Sequence, residues 1–142
     1  MVPCRIRVIY GDTDQMGVVY YANYLRWFEA GRAEFVRVLD VPYRDLEAEG
    51  LFLPVVEATA RYHRSARYDD LLVVETRLTE LRRAQMRFEY VIVRDGTRAR
   101  LCTGHTIHAC LRAADGRPTR LPAALVARLS QKVEAGAGPG TG

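Results

Sequence analysis

The hydrophobic period of the chain changes once, and that change limits what the chain can fold into. After Asn23, the residues Tyr24, Leu25, Phe28, Gly31, Phe35 and Leu39 recur mostly at spacings of three and four, the mark of a helix with one apolar face. From residue 53 the period falls to two. "LPVVEATARYHRSA", "DLLVVETRLTEL", "AQMRFEYVIV" and "RARLCTGHTIHACLR" are rich in β-branched and aromatic residues, the composition of strands. Met86, Phe88, Tyr90 and Ile92 would share one face.

The punctuation completes the layout. "CRIRVIY", residues 4–10, alternates and predicts a first strand. Asn23 is placed to cap the long helix and Pro42 to stop it, and "YRDLEAEG" predicts a short helical turn closed by Gly50. "VRDGTR" predicts a hairpin, because Asp-Gly accepts the positive φ angles of a type I′ turn. "LPAALVARLSQKV" predicts a C-terminal helix. A domain over 1–134 followed by a flexible tail over 135–142 is expected, since "EAGAGPGTG" has little to pack. The order is one strand, a long helix, then four strands able to pair as consecutive antiparallel neighbours. That predicts an α+β fold, a sheet of about five strands with the helix across it. A second copy would cover its open edge.

Length and composition exclude several classes. The chain's 142 residues suit one core. No run of about 18 uncharged apolar residues predicts a membrane span. The first residues do not follow a signal-peptide pattern, so a cytoplasmic protein is expected. Its three cysteines, Cys4, Cys102 and Cys110, form no C-x-x-C pair, which favours free thiols. Net charge is +4 and every basic residue but Lys132 is arginine. Such a surface favours anionic partners, without choosing between a small phosphorylated ligand and nucleic acid.

The stretch "YGDTDQMGVVYYANYLRWFEAGRAEF", residues 10–35, carries two aspartates just before the helix. A calcium loop begun at Asp12 would need an oxygen donor where Met16 stands and a carboxylate where Asn23 stands. Zinc fails on geometry: along a strand Cys102 and His108 lie about 20 Å apart, with His105 on the opposite face. No metal is expected. G-x-S-x-G elbows and glycine-rich phosphate loops are absent from the sequence. Turn chemistry alone would explain Asp12 and Asp14. The alternative is an acyl-transfer site. A helix N-terminus offers unpaired N–H groups and partial positive charge to a developing oxyanion. An adjacent aspartate would attack the same carbonyl or activate water.

That stretch resembles the signature loop and helix of the 4-hydroxybenzoyl-CoA thioesterase family, which includes the Tol-Pal-associated acyl-CoA thioesterases. The likeness continues through "LPVVEATARYHRSARYDDLLVVETRLTELRR" and covers roughly residues 4–112. It implies a hotdog fold, a five-stranded antiparallel sheet wrapped around one long central helix, acting on acyl-CoA with no cofactor. It implies that Asp14 is the catalytic carboxylate, as nucleophile or general base, and that the Tyr21 N–H polarises the thioester carbonyl. Asp12 would organise the loop, and Arg82 and Arg83 would hold coenzyme A phosphates, although a solvated turn explains that pair as well. Family members are dimers of dimers, so a homotetramer is expected, with no nucleic acid and no membrane partner. The Tol-Pal-associated branch has histidine where this chain has Tyr21, and the aromatic-substrate branch has tyrosine. Glu29 and Glu34 are the alternative carboxylates on the helix. Other readings are a non-catalytic acyl-CoA-binding protein and a dehydratase. The dehydratase would want a histidine near the helix, whereas His63, His105 and His108 fall on late strands.

Overall fold

The computed structural model describes residues 1–40 and 43–136. Pro42 and residues 137–142 of the expected tail lie outside them. The elements are β1 (Val2–Arg7), α1 (Asn23–Val38), α2 (Tyr43–Ala48), β2 (Leu51–Phe52), β3 (Val55–Tyr62), β4 (Leu71–Leu81), β5 (Gln85–Arg94), β6 (Arg100–Ala109), β7 (Leu111–Arg112) and α3 (Ala123–Leu129). Five strands form one antiparallel sheet in the order β1-β4-β5-β6-β3. β2 and β7 pair as a separate ribbon. The sheet and its long helix are the α+β arrangement that the resemblance implies.

The consecutive pairing expected of the last four strands holds only for β4, β5 and β6. β3 lies at the far edge beside β6, because both edges of β4 are taken, one by β5 and the other by β1. β1 begins and ends earlier than its alternation suggested. Its last partner is Leu71, the first residue of β4, and the chain beyond it turns through a 3-10 segment at Tyr10–Asp12. The β5–β6 hairpin is not a two-residue type I′ turn. Positive φ falls on Gly96 (87°) and Arg98 (60°), in a longer loop that lets the Arg98 guanidinium reach buried Glu75 at 2.9 Å. Asn23 is the first helical residue rather than the cap. Its Nδ2 donates to the Asp12 carbonyl at 2.9 Å.

The apolar face of α1 is Tyr24, Trp27, Phe28, Gly31 and Phe35. Trp27 takes the place expected for Leu25, which is 42% exposed because it sits about 100° round the helix from Tyr24. Met86, Phe88, Tyr90 and Ile92 of β5 face this stripe, all buried. Phe28 stacks on Tyr90 with centroids 4.4 Å apart, and Phe35 meets Phe88 edge-on. Glycines permit the close approach. A Cβ on Gly104 would lie 2.2 Å from the Thr59 carbonyl oxygen and 2.7 Å from the Phe28 ring. A Cβ on Gly31 would lie 2.5 Å from Thr76 Oγ1 and 2.7 Å from Val74 Cγ1. Gly31→Ala is therefore expected to destabilise the fold. Overpacking costs about 1–3 kcal/mol and helix propensity returns about 1 kcal/mol. A fall of several degrees in Tm checks it; a rise would mean that α1 shifts freely off β4.

Candidate active site

The loop before α1 is built on Asp12. Its buried carboxylate accepts the Ile9 N–H through Oδ2 at 3.0 Å and the Arg26 guanidinium through Oδ1 at 2.6 Å. Its carbonyl accepts the Tyr20 N–H and Asn23 Nδ2, both at 2.9 Å. Strand end, loop and first helical turn are thus tied to one residue, and both oxygens of the buried Asp12 carboxylate are engaged in holding the loop.

Asp14 sits differently. Its N–H donates to the Val18 carbonyl at 2.9 Å, and its carbonyl accepts the Gly17 N–H at 3.0 Å. Its Oδ1 accepts the Met16 N–H at 2.9 Å, an Asx turn completed by the positive φ of Gly17, 78°. The Val19 N–H to Ala66 carbonyl bond, 2.9 Å, fastens the far side of this turn to the loop between β3 and β4. Between them lies a cleft of about 380 Å³ bordered by Asp14, Val18, Tyr21, Tyr24, Tyr62 and Arg64.

The same cleft meets the start of α1. The Tyr20 carbonyl accepts the Asn23 N–H at 3.0 Å and the Tyr21 carbonyl accepts the Tyr24 N–H at 3.3 Å. Among the described residues, the N–H groups of Tyr21 and Ala22 have no backbone acceptor. Asp14 and Tyr21 therefore border one space, beside the positive end of a helix of 16 residues. Chemically, the pair suits attack on a carbonyl with stabilisation of the oxygen that becomes negative. Of the residues singled out in the sequence, Asp14 and Tyr21 are brought together here and Asp12 supports them.

The others are not brought there. Arg82 and Arg83 lie at the β4–β5 turn, where they border a second groove, about 640 Å³, with Arg120, Leu121 and Val126 of the α3 region. The ten residues of β5 separate the two ends of the sheet by roughly 30 Å. Glu29 is exposed, and Glu34 is bonded to Arg37 at 2.6 Å; neither borders the cleft.

Among the described residues one histidine borders the cleft. This is His63, whose Nε2 meets Thr103 Oγ1 at 2.8 Å. Thr103 pairs with Val91, which belongs to a cluster with Val73 and Val93 on the face of the sheet away from α1. Burial, with Arg61 and Arg100 nearby, pushes the His63 pKa down. His105 is bonded to Thr59 and Glu57 at 2.9 and 2.7 Å. His108 is buried in the core, and burial pushes its pKa down to about 4. Cys102 is buried and its thiol is pushed up to about 12 by that burial. Among the described residues no three His, Cys, Asp or Glu side chains converge on a possible metal position, and no helix is long and apolar enough to cross a membrane.

Sequence reasoning missed Tyr62 and Arg64. Tyr62 ends a strand whose other residues gave no sign of a cleft. Only its aromatic character, in a chain with a tyrosine run at the helix start, pointed that way.

Comparison with known proteins supplies the context. The family described as the thioesterase-like superfamily matches residues 8–129. The acyl-CoA thioester hydrolase YbgC of Escherichia coli is 32% identical over 126 residues, 89% of this chain and 93% of that protein. A 4-hydroxybenzoyl-CoA thioesterase of a Pseudomonas species is 36% identical over 80 residues, 54% of this chain and 57% of that protein. The crystal structure of a DHNA-CoA thioesterase from Staphylococcus aureus superposes with a TM-score of 0.86 at 28% identity, covering 92% of this chain and 89% of that one.

Proposed function

The chain belongs to the thioesterase-like superfamily, and on that premise we propose that it hydrolyses acyl-CoA thioesters to the free acid and coenzyme A. The observation that carries this reading is the cleft bordered by both Asp14 and Tyr21, at the start of α1 where the Tyr21 N–H has no backbone acceptor among the described residues. Asp14 attacks the thioester carbonyl directly or takes a proton from an attacking water. The Tyr21 N–H holds the carbonyl oxygen as negative charge develops on it. Collapse of the tetrahedral intermediate expels the thiolate of coenzyme A, leaving the free acid where water attacked, or an acyl anhydride on Asp14 that water then hydrolyses where the carboxylate attacked. A thiolate is a far better leaving group than an alkoxide or an amine, so the step does not call for the imidazole that position 21 lacks.

Arg82 and Arg83 hold the nucleotide phosphates. Their distance from Asp14 within one protomer supports a site completed by a second copy. The edge strand β3 supports the same reading, with Val55 and Val56 46% and 55% exposed. We assign a homotetramer built as a dimer of dimers, working in the cytoplasm. The tyrosine-rich wall suits an aromatic or a short to medium aliphatic acyl group. A panel of aromatic, short-chain and long-chain acyl-CoA esters, read by release of free thiol, tests the function. Turnover of at least one class is expected. Tight coenzyme A binding without thiol release from any ester would instead make the chain an acyl-CoA-binding protein.

A further inference from the structure

Tyr62 makes contacts at the cleft that go beyond lining it. Its hydroxyl donates to the Tyr21 carbonyl at 3.2 Å. Its ring stands edge-on to Tyr21, centroids 6.2 Å apart, and tilted against Tyr24 at 5.3 Å. Tyr24 is itself fixed, because its hydroxyl accepts the Ala66 N–H at 3.1 Å and its ring meets Trp27 edge-on. Tyr62 is therefore braced by a buried aromatic pair on one side and holds the helix start on the other. Burial, with Cys102 and Tyr21 alongside, pushes its phenol up, so it remains a donor throughout the neutral range.

The bond falls at a sensitive place. Apart from Tyr62, the Tyr21 carbonyl accepts among the described residues only the Tyr24 N–H, at 3.3 Å, a weak bond by the usual standard. That carbonyl and the Ala22 N–H belong to one peptide unit. A donor on the oxygen draws electron density from the nitrogen and strengthens its N–H, the cooperative effect seen in hydrogen-bonded chains. It also fixes the plane of the peptide that follows Tyr21, and with it the direction of the Ala22 N–H, and through the Tyr21 Cα it steadies the backbone that carries the Tyr21 N–H.

We propose that Tyr62 is a positioning residue for thioester hydrolysis, holding the Tyr21–Ala22 peptide at the start of α1 and so steadying the backbone that presents the Tyr21 N–H to the reacting carbonyl. The role rests on the hydrolase reading above. It acts on charge that develops only during reaction, so it belongs to kcat rather than to substrate binding.

The test is Tyr62→Phe, which keeps the ring and removes the bond. Misaimed donors are expected to lower kcat about tenfold with KM within about twofold of wild type, at a Tm within a few degrees of it. The Ala22 amide proton resonance should move upfield in the same variant, whether or not substrate is present. An unchanged kcat overturns the role, as does a raised KM with kcat intact, which would make Tyr62 a binding wall. Wild-type turnover abolished by Asp14→Asn and indifferent to Tyr62→Phe removes Tyr62 alone. A wild-type protein inert on every ester removes the hydrolase reading and this role with it.

Discussion

Replacing Asp14 by Asn is expected to lower kcat by about 10²–10⁴-fold, the usual scale for loss of a positioned acid–base group, while Tm stays near that of wild type. The asymmetry follows from the Asx turn. Asn keeps a side-chain oxygen able to accept the Met16 N–H now held at 2.9 Å, and the bonds to Val18 and Gly17 are made by the backbone. The loop therefore survives. An amide cannot attack the carbonyl or take a proton from water, so the chemistry does not. Asp12→Asn makes the contrasting control. It weakens the 2.6 Å pair with Arg26 and sets an amide N–H₂ against one of two donors, the Ile9 N–H or the Arg26 guanidinium, so it should lower Tm as well as rate. Unchanged turnover in Asp14→Asn would sink the assignment and return attention to Glu29 and Glu34.

The parts of this molecule that were legible in its sequence are those set by local physics. The period-3.6 stripe of α1 and the period-two strands follow from which side chains must be buried. Gly50 closes α2 at a φ of 74°, as a glycine after a helix should. Topology was harder. That β3 crosses to the far edge depends on β1 already occupying β4, a competition between segments about 70 residues apart. The Asp-Gly turn was misjudged for a similar reason. The loop takes its shape from an ion pair between Arg98 and Glu75, a partner that no short window of sequence contains. At the site, the loop residues were legible because all lie within a dozen positions, and the resemblance supplied their roles. Tyr62 was not, since its contact with Tyr21 spans 41 residues.

Acid is expected to weaken this fold through one buried histidine. Four side chains form a chain through the core: Arg32 Nη1 lies 3.0 Å from the Tyr90 hydroxyl, that hydroxyl 2.6 Å from Thr106 Oγ1, Oγ1 2.9 Å from His108 Nε2, and His108 Nδ1 3.1 Å from the Leu53 carbonyl. The ends fix its direction. A guanidinium only donates and a carbonyl only accepts. His108 must therefore donate from Nδ1 and, being neutral, accept at Nε2 from Thr106, which in turn accepts from Tyr90. A proton on Nε2 would face the Thr106 hydrogen, and reversing the chain would turn Tyr90 against Arg32. Geometry and burial agree, and burial pushes the His108 pKa down from 6.5 to about 4. Above about pH 6.5 the ring is neutral folded and unfolded, and no penalty applies. As pH falls from there towards 4, the unfolded chain takes up a proton that the folded one refuses, so stability declines, by about 3 kcal/mol at the limit. Below 4 this group costs nothing further. His108→Gln offers an N–H to Leu53 and an oxygen to Thr106 without titrating. It is expected to be somewhat less stable than wild type at pH 7 and to lose distinctly less on going to pH 4.5. Thermal melts of both proteins across that range decide the matter: parallel curves would mean that other groups carry the acid sensitivity. The penalty is one a core of leucine and valine would avoid.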